Sequence, residues 1–173
     1  MLDLIKSRYS VKNYSDEQVS DELLEQIIEA GVYAPSGRNR QAVRFMVVQD
    51  KDTINTLARL NARVGGFPEG TDPFYNAPTV VVVFADREAS THVEDGSLAL
   101  GNMLNVAFSL GVGSCWIHRA KQVFEMPEGR AIAREYGIPD NYIGVGNCTL
   151  GYGIDGEVRA PKERTQGRVH YKK

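Results

Sequence analysis

The segment Ala34-Pro35-Ser36-Gly37-Arg38-Asn39-Arg40-Gln41, taken with Arg8-Tyr9-Ser10-Val11-Lys12 upstream, gathers side chains suited to holding a polar or charged ligand. Asn39 and Gln41 each carry a paired donor and acceptor, and Arg38 and Arg40 add fixed positive charge. Pro35 disfavours helical geometry in the residue before it, and Gly37 frees the backbone. An ordinary polar loop between a helix and a strand has the same composition. Near the other end, Lys162 and Arg164 stand two apart. On an extended segment they point the same way and can grip one phosphate. By composition alone, residues 157–173 are a solvated basic end.

Around these candidates, the bulk properties exclude several classes. A chain of 173 residues with a formal charge of −2 is one domain with a sizeable core. Nothing global draws it to nucleic acid or an anionic membrane. Met1-Leu2-Asp3-Leu4-Ile5-Lys6 is too short and polar for a signal peptide. Cys115 and Cys148 form neither a disulfide framework nor a metal spacing, so a reducing cytoplasm is the expected compartment. His92, His118 and His170 are too scattered to be a ligand set, and no metal is expected.

The elements that must position the candidates follow from periodicity. Leu2, Leu4 and Ile5 suggest a short opening helix. Ser20 is an N-cap for a helix carrying Leu23, Leu24, Ile27, Ile28 and Val32, stopped by Gly31 and Pro35. A strand is predicted over 44–49, a helix over 53–61 and a fully covered strand over 79–85. Residues 62–77 form a loop rich in turn-formers and aromatics. Phe67, Phe74 and Tyr75 either cover a site as a lid or tuck into the core edge.

The helix predicted over 95–110 is apolar nearly all round, as in a large core or an oligomer interface, and a homodimer seam is the favoured reading. Gly111-Val112-Gly113 leads into a strand, so the order is helix to strand, and the third glycine of a dinucleotide fingerprint is missing. One or two short helices lie around Met126-Pro127, and 142–152 is a strand whose glycines allow bulges or close approach.

Arg8-x-Ser10-x-Lys12, Pro35-Ser36-x-x-Asn39-x-Gln41, Gly111-Val112-Gly113-Ser114-Cys115-Trp116-Ile117, the glycine-rich 142–153 stretch and Pro161-Lys162-x-Arg164 occur in that order. Together they resemble the nitroreductase family of FMN-dependent oxidoreductases, over nearly the whole chain. The resemblance implies an α+β fold with a central, mostly antiparallel sheet flanked by helices. It also implies an intertwined homodimer with FMN at the interface and a tail, 157–173, reaching the partner.

By that resemblance Arg8, Lys162 and Arg164 bind the FMN phosphate, with Tyr9 alongside. Ser10 meets the pyrimidine ring or ribityl chain, and Lys12 lies near N1 and O2. Pro35, Ser36, Gly37, Asn39 and Gln41 come from the other subunit. Trp116, Ile117, His118 and Arg119 line the dimethylbenzene and N5 side, with a backbone N–H of His118 or Arg119 facing N5. The implied activity is electron transfer from NADH or NADPH to an electron-poor acceptor such as a nitroaromatic or quinone, by ping-pong exchange. A flavin-binding sensor or carrier, or a specialised flavin reaction such as reductive dehalogenation, is the alternative. Two departures bear on substrate. Ala42-Val43 stands where relatives often carry Pro-Trp, and the chain is shorter than many of them.

Overall fold

The computed structural model describes residues 1–154 and 163–172. Its centre is the uninterrupted valine run of β2 (Thr79–Asp86), in which residues 80 to 85 are fully buried. A strand with both faces covered needs no polar alternation, which is why the run reads as continuous apolar sequence. Three further strands complete an antiparallel sheet: β1 (Val43–Val48), β3 (Gly113–Ile117) and β4 (Tyr142–Gly151). The order across the sheet is β1-β2-β4-β3, which puts β3 at an edge.

Successive side chains of β2 feed two separate cores, as the two-residue period of a strand requires. Val80, Val82 and Phe84 pack with Leu57, Leu60 and Phe124 of α3 (Lys51–Gly65) and α5 (Ala120–Glu125). Val81 and Val83 pack with Ile27 of α2 (Asp21–Val32) and with Leu100 and Met103 of α4 (His92–Ser109). The remaining helices are α1 (Leu2–Ser7), with no buried residue, and α6 (Pro127–Glu135), which Pro127 opens. The result is a sheet between two helical layers, the α+β arrangement expected from the sequence.

Local chemistry sets the boundaries. The Ser20 hydroxyl accepts from the Leu23 N–H at 3.4 Å, and the Asp50 carboxylate accepts from the Thr53 N–H at 2.8 Å, each capping its helix. Helix α3 runs four residues beyond the expected Asn61, because Ala62, Arg63 and Val64 continue it until Gly66 caps it at φ +63°. The loop after it is correspondingly shorter. Opposite Val83 and Phe84, β4 bulges between Gly144 and Gly146, where a Cβ on either glycine would come within 2.7 Å of a neighbour. Helix α4 begins three residues earlier than expected and is not buried all round. Ala99, Met103 and Ala107 are covered, whereas Val93 and Leu98 are each 48% exposed. Among the described residues no helix is long and apolar enough to cross a membrane, and no cluster could hold a metal ion.

Candidate functional site

The segment after α1 is drawn onto the edge strand β3. The Val11 N–H donates to the Ser114 carbonyl at 3.1 Å, and Tyr9 packs edge-on against Phe108 with ring centres 5.9 Å apart. Farther along, the Tyr14 hydroxyl lies 3.0 Å from that of Thr149. With residues 9, 11 and 14 fastened, Arg8, Ser10 and Lys12 are brought to Cys115. Burial pushes the Cys115 thiol above its ordinary pKa, opposed by a hydrogen bond with Ser10 and the positive charges of Lys12 and Arg8. Ser10 thus meets β3 directly, Lys12 lines the same cavity as Cys115, and the charge of Arg8 is felt there.

That cavity, of about 380 Å³, opens beside Cys115. Lys12, Tyr75, Trp116, Ile117, His118 and Arg119 line it, together with Phe67 and Pro73 from the loop after α3. The aromatics of this loop sit in different surroundings. Phe74 is 1% exposed and belongs to the core, while Phe67 is 40% exposed and faces this cavity. The Lys12 ammonium lies 5.8 Å from the Tyr75 ring centre. Trp116 is 48% exposed, its ring centre 5.5 Å from that of His118.

The turn leaving β3 has an unusual backbone. Arg119 adopts φ +76°, a left-handed conformation that non-glycine residues resist. Two buried amides hold it. Asn61 Nδ2 donates to the His118 carbonyl at 2.9 Å, and Asn147 Nδ2 donates to the Ile117 carbonyl at 3.1 Å and the His118 carbonyl at 3.3 Å. The Arg119 side chain donates through Nε to Asn61 Oδ1 at 3.0 Å, and its guanidinium carbon sits 4.7 Å from the Phe67 ring centre. Neither asparagine is a site residue by sequence reasoning. Asn61 looked like the end of a helix and Asn147 like part of a strand.

The 35–41 loop is a single 3-10 turn, Gly37–Asn39, flanked by polar ties. Arg38, Asn39 and Gln41 all have positive φ, at +54°, +53° and +52°. The Ser36 hydroxyl accepts from the Gln41 N–H at 3.0 Å, and the Gln41 side chain donates to Asn39 Oδ1 at 3.1 Å. Asp95, 3% exposed at the start of α4, accepts from the Gly37 N–H at 3.0 Å and from the Thr91 hydroxyl at 3.1 Å. A Cβ at Gly37 would collide with that hydroxyl, so a side chain here would disturb the tie.

Pro35, Ser36 and Gln41 line a second cavity of about 440 Å³ with Gly31, Phe45 and Tyr136. It shares no lining residue with the first. Within one chain, then, the loop and the Lys12–Arg119 cavity are separate. Arg164 lies in the exposed segment 163–172, and Lys162 falls outside the described residues.

Known proteins with this fold put the arrangement in context. A solved nitroreductase with bound FMN from Bacteroides fragilis superimposes with a TM-score of 0.92 at 31% identity, covering 99% of this chain and 98% of that one. A second nitroreductase with bound FMN, from Desulfitobacterium hafniense, gives a TM-score of 0.89 at 26% identity over 99% and 97% of the two chains. An Archaeoglobus fulgidus protein, provisionally named NADH dehydrogenase/NAD(P)H nitroreductase, is 34% identical over 160 residues, 89% of this chain and 86% of its own length. The model of the nitroreductase family matches residues 5–152, and the chain belongs to that family.

Proposed function

We propose that the chain is an FMN-dependent oxidoreductase taking electrons from NAD(P)H and delivering them to an electron-poor acceptor such as a nitroaromatic or quinone. The observation that carries this reading is the aromatic-lined cavity on β3 that brings Lys12 together with the His118–Arg119 turn, with Ser10 hydrogen-bonded at Cys115 and the Arg8 charge acting on it. These residues fit a flavin mononucleotide chemically. A phosphate dianion calls for charged donors such as Arg8. The flat ring system calls for apolar and aromatic walls, supplied by Phe67, Tyr75, Trp116 and Ile117.

In this reading Lys12 puts positive charge where the ring's pyrimidine edge gains electron density, favouring reduction. A backbone N–H of the turn at 118–119 would serve as donor to N5. By the family resemblance, Ser36, Gly37, Asn39 and Gln41 would close over the group from a second copy of the chain, and Lys162, which lies outside the described residues, would join Arg164 in holding the phosphate. When bound, FMN supplies two-electron chemistry in two half-reactions on one face, so no side chain has to act as acid or base.

The test is an absorption spectrum of FMN-loaded protein before and after anaerobic NADH, followed by steady-state kinetics with a quinone. Expected are a yellow protein bleached by NADH, many turnovers per flavin and parallel double-reciprocal lines. A protein that stays colourless when soaked with FMN overturns the cofactor. One that oxidises a single equivalent of NADH per flavin is a flavin binder instead of a reductase. Intersecting lines overturn the shared face.

A further inference from the structure

We propose that Asn61, on α3 and remote in sequence from every expected cofactor-binding segment, is the positioning residue that aims the Arg119 backbone N–H. The inference rests on the FMN reading above. Asn61 is 1% exposed, and both halves of its amide are engaged by partners of opposite character: Nδ2 with the His118 carbonyl, Oδ1 with the Arg119 guanidinium. Rotating the amide by half a turn would aim oxygen at a carbonyl and N–H at a guanidinium, so its orientation is fixed from both sides.

The anchored atoms are the ones that matter. The His118 carbonyl and the Arg119 N–H belong to one peptide unit, which is planar, so fixing the oxygen fixes where the N–H points. Asn147 grips the same carbonyl from β4, giving the peptide two buried donors on two elements. The left-handed φ at Arg119 then sets the chain leaving the turn. Its strain is offset where the arginine side chain folds back onto Asn61 and the Phe67 ring. Through Phe67, the same anchor reaches the loop that walls the cavity.

Aspartate at position 61 separates the two functions of the amide. It keeps an acceptor for Arg119 but turns an oxygen toward the His118 carbonyl, where a donor is needed. With FMN-loaded Asn61→Asp, we expect the rate constant for flavin reduction by NADH to fall tenfold or more. The FMN dissociation constant should stay within threefold of the parent, and the flavin midpoint potential should be displaced from it. Arg63→Gln, on the same helix but paired with Glu128 at the surface, should leave both the reduction rate and the potential at the parental values.

Parental rate and potential in Asn61→Asp overturn the proposal. So does loss of FMN binding together with the rate, since Asn61 would then only maintain the fold. If Asn61→Asp does not accumulate, Asn61→Ala, which removes both contacts, should show the same loss of reduction rate with FMN affinity within threefold, and a parental rate in it overturns the proposal. A parent protein that binds no FMN defeats the functional reading itself, whereas a parent that turns over beside an equally active Asn61→Asp defeats only this assignment.

Discussion

Arg8 and Lys12 matter less as charges on a surface than as charges fixed in place by the residues between and beside them. Val11 is hydrogen-bonded to β3 and Tyr9 is packed on Phe108, so the backbone that carries both cations need not be ordered by the ligand. A charge-assisted hydrogen bond to phosphate contributes about 1.5–3 kcal/mol, and Arg8→Ala should therefore weaken FMN binding roughly ten- to hundredfold while leaving the melting transition cooperative. Fluorescence titration of apoprotein with FMN measures it, and unchanged affinity would move the phosphate elsewhere.

The two thiols make a second prediction at this scale. Burial holds Cys148 up to about 12 and raises Cys115 as well, so both remain protonated and shielded near pH 8. A thiol-specific disulfide reagent should find neither in the native protein and both after denaturation; rapid native reaction would mean that β3 opens readily. The types of the binding residues were readable from the sequence because charge and amide spacing is local. Asn61, Asn147 and Asp95 were not, since each acts by donating to or accepting from backbone brought near it only by folding.

At the scale of elements, the strands and most helices were legible because their apolar periods survive in the folded protein. Ile27, Leu57 and Met103 face cores at helical spacing, and the valines of β2 split between the two faces. Helix ends were less so, since Ala62-Arg63-Val64 carries no stop signal before Gly66. The apolar breadth of α4 overstated its burial, and its exposed residues leave one flank uncovered within a chain. The same helix fastens the 35–41 loop through Asp95. Asp95→Ala should leave the Gly37 N–H and Thr91 hydroxyl without their acceptor and release the loop. Expected is at least a tenfold loss of FMN affinity, with α4 still helical by circular dichroism. Full retention of FMN would separate the loop from the site.

Between α6 and β4, Arg134 donates two hydrogen bonds to Asp140, at 2.9 and 3.0 Å, and holds its carboxyl below the ordinary 3.8. A depressed carboxyl pKa contributes stability above the ordinary value and loses it as pH falls through the folded one. Both side chains are more than half exposed, so the contribution is small and screened by salt. Asp140→Asn should flatten the acid limb of the stability profile slightly at low ionic strength, and not at all in high salt.

For the whole molecule, one geometric fact governs the proposed assembly: the loop at 35–41 and the cavity at Lys12 and Arg119 share no wall within a chain. If one site uses the cations of one copy and the loop of another, damage to each should complement in trans. Arg8→Ala removes a phosphate donor, and Gly37→Val drives a side chain into the Thr91 hydroxyl. Alone, each variant should bind little FMN. When the two are co-expressed at equal levels, random pairing makes half of the dimers mixed. In each mixed dimer one site inherits both defects, and the other inherits neither. About a quarter of all sites should then recover parental FMN affinity, read as flavin retained per chain. Were the two features to serve the same chain's site, every site would carry one defect and mixing would recover nothing. The exposed Val93 and Leu98 of α4 provide the matching control. Leu98→Glu, introduced into both variants, places charge in the proposed seam and should abolish the recovery together with the dimer, read by light scattering.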